Sequence, residues 1–305
     1  MRTILRVLAC CAIAATANAG DTVPDTEWRT FGRDLANSKS APLDQIDRTN
    51  FEQLELAWAW ESISQDVVRE GFKLPLGQFK PTPLVVDGIL YVATELSQVA
   101  AIDATTGETV WSHDPQSYKA GRPANVGFQH RGVAYWGEGN DARILIATHD
   151  RKLIALSAKT GTTYEDFGDN GTVDLVPSLG RPVNIRQITH TSPPAIAGDT
   201  IVVGSIVHDG PTMMEAPPGH VRGFDVRTGE LKWVFETIPS EGKFGNETWE
   251  DESWRYTGAT NVWSMFAVDP ELGYVYLPVS TPTNDMYGGH RLGDNLFAES
   301  LVCVD

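Results

Sequence analysis

Short apolar runs, split by tight-turn pairs, dominate the hydrophobic pattern of this chain. In PLVVDGILYVAT (83–94) two β-rich runs flank Asp87-Gly88, the strongest short-range hairpin signal. ARILIATHDRKLIAL (142–156) has the same shape around His149-Asp150, and PPAIAGDTIVVGS (193–205) has it around Gly198-Asp199. ELGYVYLPVS (271–280) is a weaker version.

A second phrase follows the hairpins. AIDATTGETVW (101–111) and GFDVRTGELKW (223–233) share the spacing Asp-x-x-Thr-Gly-x-x-x-Trp. ALSAKTGTTYE (155–165) keeps Thr160-Gly161 but ends on Glu165, AVDPELGYVY (267–276) keeps Asp269 and Gly273, and SLVCVD (300–305) opens the phrase again. Physically, the apolar residue before Asp closes a strand, Asp caps a tight turn, and Thr-Gly supplies a hydroxyl and a positive φ. Trp111 and Trp233 then stand on the next strand, each able to bury a large ring against the neighbouring unit. The aspartates and their stand-in fall at Asp103, Ser157, Asp225, Asp269 and Asp305. Strand-rich repeats of roughly 40–50 residues predict an all-β chain folded as a β-propeller, with loops of unequal length between units. A β-sandwich with chance Thr-Gly turns is the alternative. The stretches 114–140, 166–190, 207–221 and 236–260 lack strand pattern and are rich in Gly, Pro, Trp, His and Asn. They read as ordered functional loops gathered on one face.

Composition supports this picture. The 305 residues are 41% hydrophobic and 21% charged, with Gly 28, Pro 18 and Trp 9, which suits many turns and a large aromatic payload. The net charge of −16 argues against nucleic acid and anionic lipid headgroups as partners. Residues 1–19 have the order of a secretory signal peptide: basic MRTILR, apolar VLACCAIAATA, and the small-x-small site Ala17-Asn18-Ala19. Its apolar run is too short to span a bilayer. Cleavage would leave 20–305 as one exported domain without a transmembrane segment, and Cys303 as its single cysteine, so the core must hold the fold without an internal disulfide.

Spread along the mature chain, these phrases resemble the tryptophan-docking repeats of the quinoprotein dehydrogenases, the family dependent on pyrroloquinoline quinone (PQQ). The segments HRGVAYW (130–136), THTSPPAIAGDTIVVGS (189–205), EAPPGHVRGFDVRTGELKW (215–233), TNVW (260–263) and TNDMYGGHR (283–291) extend the resemblance. It implies an eight-bladed propeller carrying PQQ and Ca²⁺, about half of whose blades are present, and it looks most similar to the glucose and cyclitol dehydrogenase type.

Several residue roles are carried over by the resemblance. Arg131 would pair with a PQQ carboxylate, as guanidinium binds carboxylates in a fork. Thr191 would bond another, Trp263 would stack on the ring, His130 would lie near the sugar, and Asp209 would hold Ca²⁺ through oxygen. Departures are also visible. Lys80 stands where a glutamate is common, Thr281 stands where a second metal ligand would fall, with Asn284 and Asp285 close but out of register, and no cysteine pair precedes Arg131. The last point argues against the alcohol-oxidising branch. The catalytic aspartate is expected after the phrase that opens at Cys303-Val304-Asp305, so the chain reads as a fragment that would be inactive alone. The implied reaction is oxidation of a sugar or polyol hydroxyl in the periplasm, with electrons passing to a quinone or cytochrome. A non-catalytic propeller serving as a protein-binding scaffold is the alternative function.

Overall fold

The computed structural model describes residues 24, 26–137 and 139–305, so the expected signal peptide lies outside the described residues. Four antiparallel sheets follow one another along the chain. Blade I consists of Leu84–Val86, Ile89–Ala93, Val99–Asp103 and Thr109–His113, in that spatial order. Blade II consists of Ala134–Trp136, Arg143–Ala147, Lys152–Ser157 and Thr172–Asp174, and blade III of Ala195–Ala197, Thr200–Val203, Val221–Asp225 and Leu231–Phe235. Blade IV pairs Ala267–Asp269, Tyr274–Val279 and Ser300–Val304. Sequential antiparallel strands radiating in blades are the propeller architecture expected from the repeats.

Local chemistry explains the turns. Asp87 (φ 50°) and Gly88 (φ 76°) both take positive φ, the twist that a two-residue hairpin needs. Asp103 Oδ1 accepts the backbone N–H groups of Thr105 and Thr106 at 2.8 and 2.9 Å, and Asp225 Oδ1 accepts those of Arg227 and Thr228, both at 2.9 Å. These bonds favour the ionised form, and they hold the Asp103 carboxyl below its ordinary pKa.

Two sequence readings change. The hairpins that looked alike are not equivalent: 84–93 joins strands one and two of its blade, whereas 143–157 joins strands two and three. Period-2 alternation finds a pair of strands but not its rank in the sheet. Likewise, Asp269 and Gly273 form the turn between the first two strands of blade IV, the place of Asp87-Gly88 in blade I, and not a relic of the Thr-Gly phrase. The third strand of blade IV is Ser300–Val304, as Val99–Asp103, Lys152–Ser157 and Val221–Asp225 are the third strands of the others.

The core lies between blades. Leu84, Val86 and Tyr91 of blade I pack with Ile144, Ile154 and Leu156 of blade II. Leu145 and Leu153 of blade II pack with Ile201 and Phe224 of blade III, and Val202 and Val221 with Val268, Val275 and Leu277 of blade IV. Indoles lock the joints as expected: Trp111 donates from Nε1 to the Ala158 carbonyl at 2.9 Å and covers Gly161. Trp58, not foreseen in this role, does the same to blade I, donating to the Ala104 carbonyl at 3.2 Å and covering Gly107. Where Glu165 replaces tryptophan, the buried ring of Phe167 and the side chain of Val173 fill the space beside Gly229.

The two ends of each blade differ. The first hairpin turns and the Thr-Gly turns share one face, where the Ala104, Ala158 and Val226 N–H groups donate to the carbonyls of Gly88, Ala142 and Asp199. The segments that enter each first strand run along the opposite face, and they hold the candidate site. Among the described residues, no helix is long and apolar enough to cross a membrane.

Candidate functional site

The residues just before the first strands of successive blades form a ladder. Gln78–Phe79 pairs in parallel with Gln129–His130, the Thr82 N–H donates to the Arg131 carbonyl at 2.9 Å, and the Arg131 N–H donates to the Thr191 carbonyl at 2.8 Å. Farther along, the Ser205 N–H donates to the Val262 carbonyl at 2.9 Å. Arg131, Thr191 and Trp263 stand three or four residues ahead of the first strands of blades II, III and IV.

Their side chains meet. Arg131 Nη1 donates to Thr191 Oγ1 at 2.6 Å and to Ser192 Oγ at 3.2 Å. Ser192 Oγ donates in turn to the Trp263 carbonyl at 2.6 Å. The Arg131 guanidinium stands 5.4 Å from the centre of the Trp263 ring, within cation–π range. Trp263 is 46% exposed although it is among the largest apolar side chains in the loops. Burial alone lowers the Arg131 pKa, and among the described residues no carboxylate is recorded in an ion pair with it. A half-buried cation held by two hydroxyls beside an open indole face suits a planar anion. Ser192 was not anticipated; its position directly after Thr191 was the available signal.

His130 takes a different place from the one expected. It has no exposed surface. Its Nδ1 accepts the Gly132 N–H at 3.2 Å, so the Nε2 proton is donated to the Ala147 carbonyl at 2.9 Å. Desolvation pushes its pKa down to about 3, which keeps the ring neutral. Both nitrogens are engaged by backbone, leaving none for a substrate; His130 here braces blade II against its entry segment.

Asp209 is exposed, and its Oδ1 accepts from the Asn125 amide at 2.8 Å while its N–H donates to Asn125 Oδ1 at 3.1 Å. The Asp285 N–H donates to the Asp209 carbonyl at 3.0 Å. Burial, followed by the Asp209 charge, holds the Asp285 carboxyl above its ordinary pKa. Folding therefore brings Asp285, which the sequence left out of register, beside Asp209. Thr281 engages the Thr260 N–H through its carbonyl, and no cluster of three or more His, Cys, Asp or Glu residues occurs among the described residues. Lys80 is exposed and borders the same ladder, one residue beyond Phe79.

Comparison with known proteins bears on this geometry. Residues 28–305 match the family described as "PQQ: Glucose/ethanol/alcohol dehydrogenase, beta-propeller domain". The chain is 32% identical over 299 residues to the dehydrogenase subunit of the alcohol dehydrogenase (quinone) of Gluconacetobacter polyoxogenes, covering 91% of this chain and 36% of that one. It is 31% identical over 316 residues to the quinoprotein glucose dehydrogenase of Escherichia coli, covering 96% and 37%. Among solved structures, it superposes on the quinohemoprotein alcohol dehydrogenase of Comamonas testosteroni with a TM-score of 0.73 at 27% identity, covering 92% of this chain and 39% of that one. The chain thus spans a little over a third of the length of the curated relatives it matches.

Proposed function

The chain belongs to the PQQ-dependent glucose/ethanol/alcohol dehydrogenase β-propeller family, and from that membership we propose that it binds PQQ and serves the oxidation of a sugar or polyol hydroxyl. The observation that carries the reading is the meeting of Arg131, Thr191 and Trp263, three residues from three blades, at one half-open place. The donor set suits a flat triacid: a guanidinium without a carboxylate partner among the described residues, two hydroxyls and an exposed indole. Gln129-His130 stands where a cysteine pair would mark the alcohol branch, which favours the sugar and polyol side, although both kinds of relative are similar to the chain.

Bound PQQ would supply an electrophilic quinone carbonyl, and with it two-electron redox chemistry. Arg131 would take a carboxylate as a fork, its plane fixed by Thr191 and Ser192. Trp263 would shield one face of the flat group from water and set its orientation. Asp209 would offer its carboxylate to Ca²⁺, with Asp285 nearby making the locus more negative; oxygen donors are what a hard cation selects. The N-terminal pattern supports a periplasmic location, and a quinone or cytochrome is the acceptor we propose.

The test is titration of the protein with PQQ in the presence and absence of Ca²⁺, following quenching of tryptophan fluorescence, with dye reduction as a second readout. Saturable quenching that is lost in Arg131→Ala and Trp263→Ala supports the reading. Absence of quenching in the unaltered protein overturns it.

A further inference from the structure

Arg222, in the third strand of blade III, has no solvent exposure. Its Nη1 donates to the Leu175 carbonyl at 3.2 Å, and its Nη2 reaches His190 Nε2 at 3.3 Å and the Gly204 carbonyl at 3.4 Å. Its Nε has no partner, and among the described residues no carboxylate is recorded in an ion pair with it. Burial lowers its pKa to about 10, so the group stays charged at neutral pH. A buried, unpaired cation is costly, and a fold retains one only where something offsets it.

The surroundings indicate what that is. A guanidinium can only donate, so His190 Nε2 accepts and its proton sits on Nδ1, which is buried and also without a partner. His190 directly precedes Thr191, the residue bonded to Arg131. A small cavity is lined by His190, Thr191, Ser192, Gly204, Ser205 and Trp263, and the buried Ser205 Oγ there also lacks a partner among the described residues. His190 feels the charges of Arg222 and Arg151; Asp150 and Asp174 act on Arg151, Asp150 also on His149 and Glu236 on His220, whereas among the described residues no acid is recorded acting on His190 or Arg222. In a chain of net charge −16, Arg222 thus places a positive charge in the interior.

Resting on the PQQ reading above, we propose that Arg222 is a positioning residue that backs the Arg131–Thr191 subsite, its charge and its hold on His190 selecting a polycarboxylate ligand over the same ring system without charge. The test compares PQQ with its trimethyl ester, each titrated by tryptophan quenching against the unaltered protein, Arg222→Lys, Arg222→Gln and Arg222→Met, with circular dichroism to verify folding. Both neutral variants should lose roughly tenfold in affinity for the triacid, about 1.4 kcal/mol, while their affinity for the ester stays unchanged. Arg222→Lys should keep most of the preference. Equal loss for both ligands, or no loss for the triacid, overturns the assignment and leaves the cofactor reading standing. If the neutral variants fail to fold while the lysine variant folds, the charge serves the fold and the assignment falls. Failure of the unaltered protein to bind either ligand overturns the cofactor reading and this assignment with it.

Discussion

The indole of Trp111 lies where a side chain on Gly161 would have to be: a Cβ there would fall 2.4 Å from the ring. Gly161 also holds φ at +72°, and the same ring bonds the Ala158 carbonyl, so one residue joins blade I to the turn of blade II. Gly161→Ala should therefore cost about 3 kcal/mol, combining overpacking with left-handed strain. Urea denaturation measures it. A cost under about 1 kcal/mol would mean that the joint yields easily.

Trp58 docks on Gly107 and Ala104 in the same manner, while Leu56 beside it is 84% exposed. The segment 54–60 is thus attached through two rings, Trp58 and Trp60, whose Nε1 donates to Thr109 Oγ1 at 2.9 Å. Trp58→Ala should make it the first site of limited proteolysis with little change in the denaturation midpoint of the blades. Unaltered cleavage kinetics would show that other contacts hold it.

Arg131 is a fork that Thr191 and Ser192 orient. Arg131→Ala should weaken PQQ binding about 100-fold, near the upper end of what a hydrogen bond to a charged group contributes. Arg131→Lys should recover only part of it, because an ammonium is a point charge without a planar pair of donors. Isothermal titration of the two variants ranks them, and equal affinity in both would discount the fork.

Four buried histidines set a pH dependence. Desolvation lowers His130 and His220 to about 3, His149 to about 4, and His190 well below its ordinary value. In the unfolded chain they would titrate near 6.5. Between those limits the unfolded state binds more protons, so stability is full above about pH 6.5 and falls as the solution is acidified toward 4. Denaturation midpoints from pH 7 to 4 should decline, and less steeply in His149→Gln. A midpoint that rises on acidification contradicts this account.

Arg181 reaches the carbonyls of Trp254, Arg255, Ala216 and Thr257, tying the loop after blade II to two loops beyond it. Arg181→Met keeps the apolar stem but leaves four acceptors without their donor. Cleavage within 236–260 should become faster, as hydrogen exchange there would also report.

Local signals were legible in the chain because they are short-range. Asp87-Gly88 dictates a two-residue turn through φ alone, and Asp103 caps its own turn within three residues, so no distant contact is required to read either. The same locality misled where two turns look alike: Asp269 and Gly273 copy the spacing of the Thr-Gly phrase, and only strand pairing shows them to be a first hairpin. Trp58 was hidden because no Asp-x-x-Thr-Gly precedes it; its partner Ala104 is recognised only when the blades stand side by side.

The sequence alone determined an all-β chain of repeated blades and the turns that separate its strands, since propensity and spacing are properties of neighbouring residues; the candidates Arg131, Thr191 and Trp263 came from its resemblance to a known family. Tertiary structure alone decided that these three converge, that Ser192 links them, that His130 is sealed inside with both nitrogens engaged, and that Arg222 is a buried cation without an acid partner among the described residues. Burial and the pairing of charges depend on which distant segments pack together, and that is fixed only when the blades close on one another.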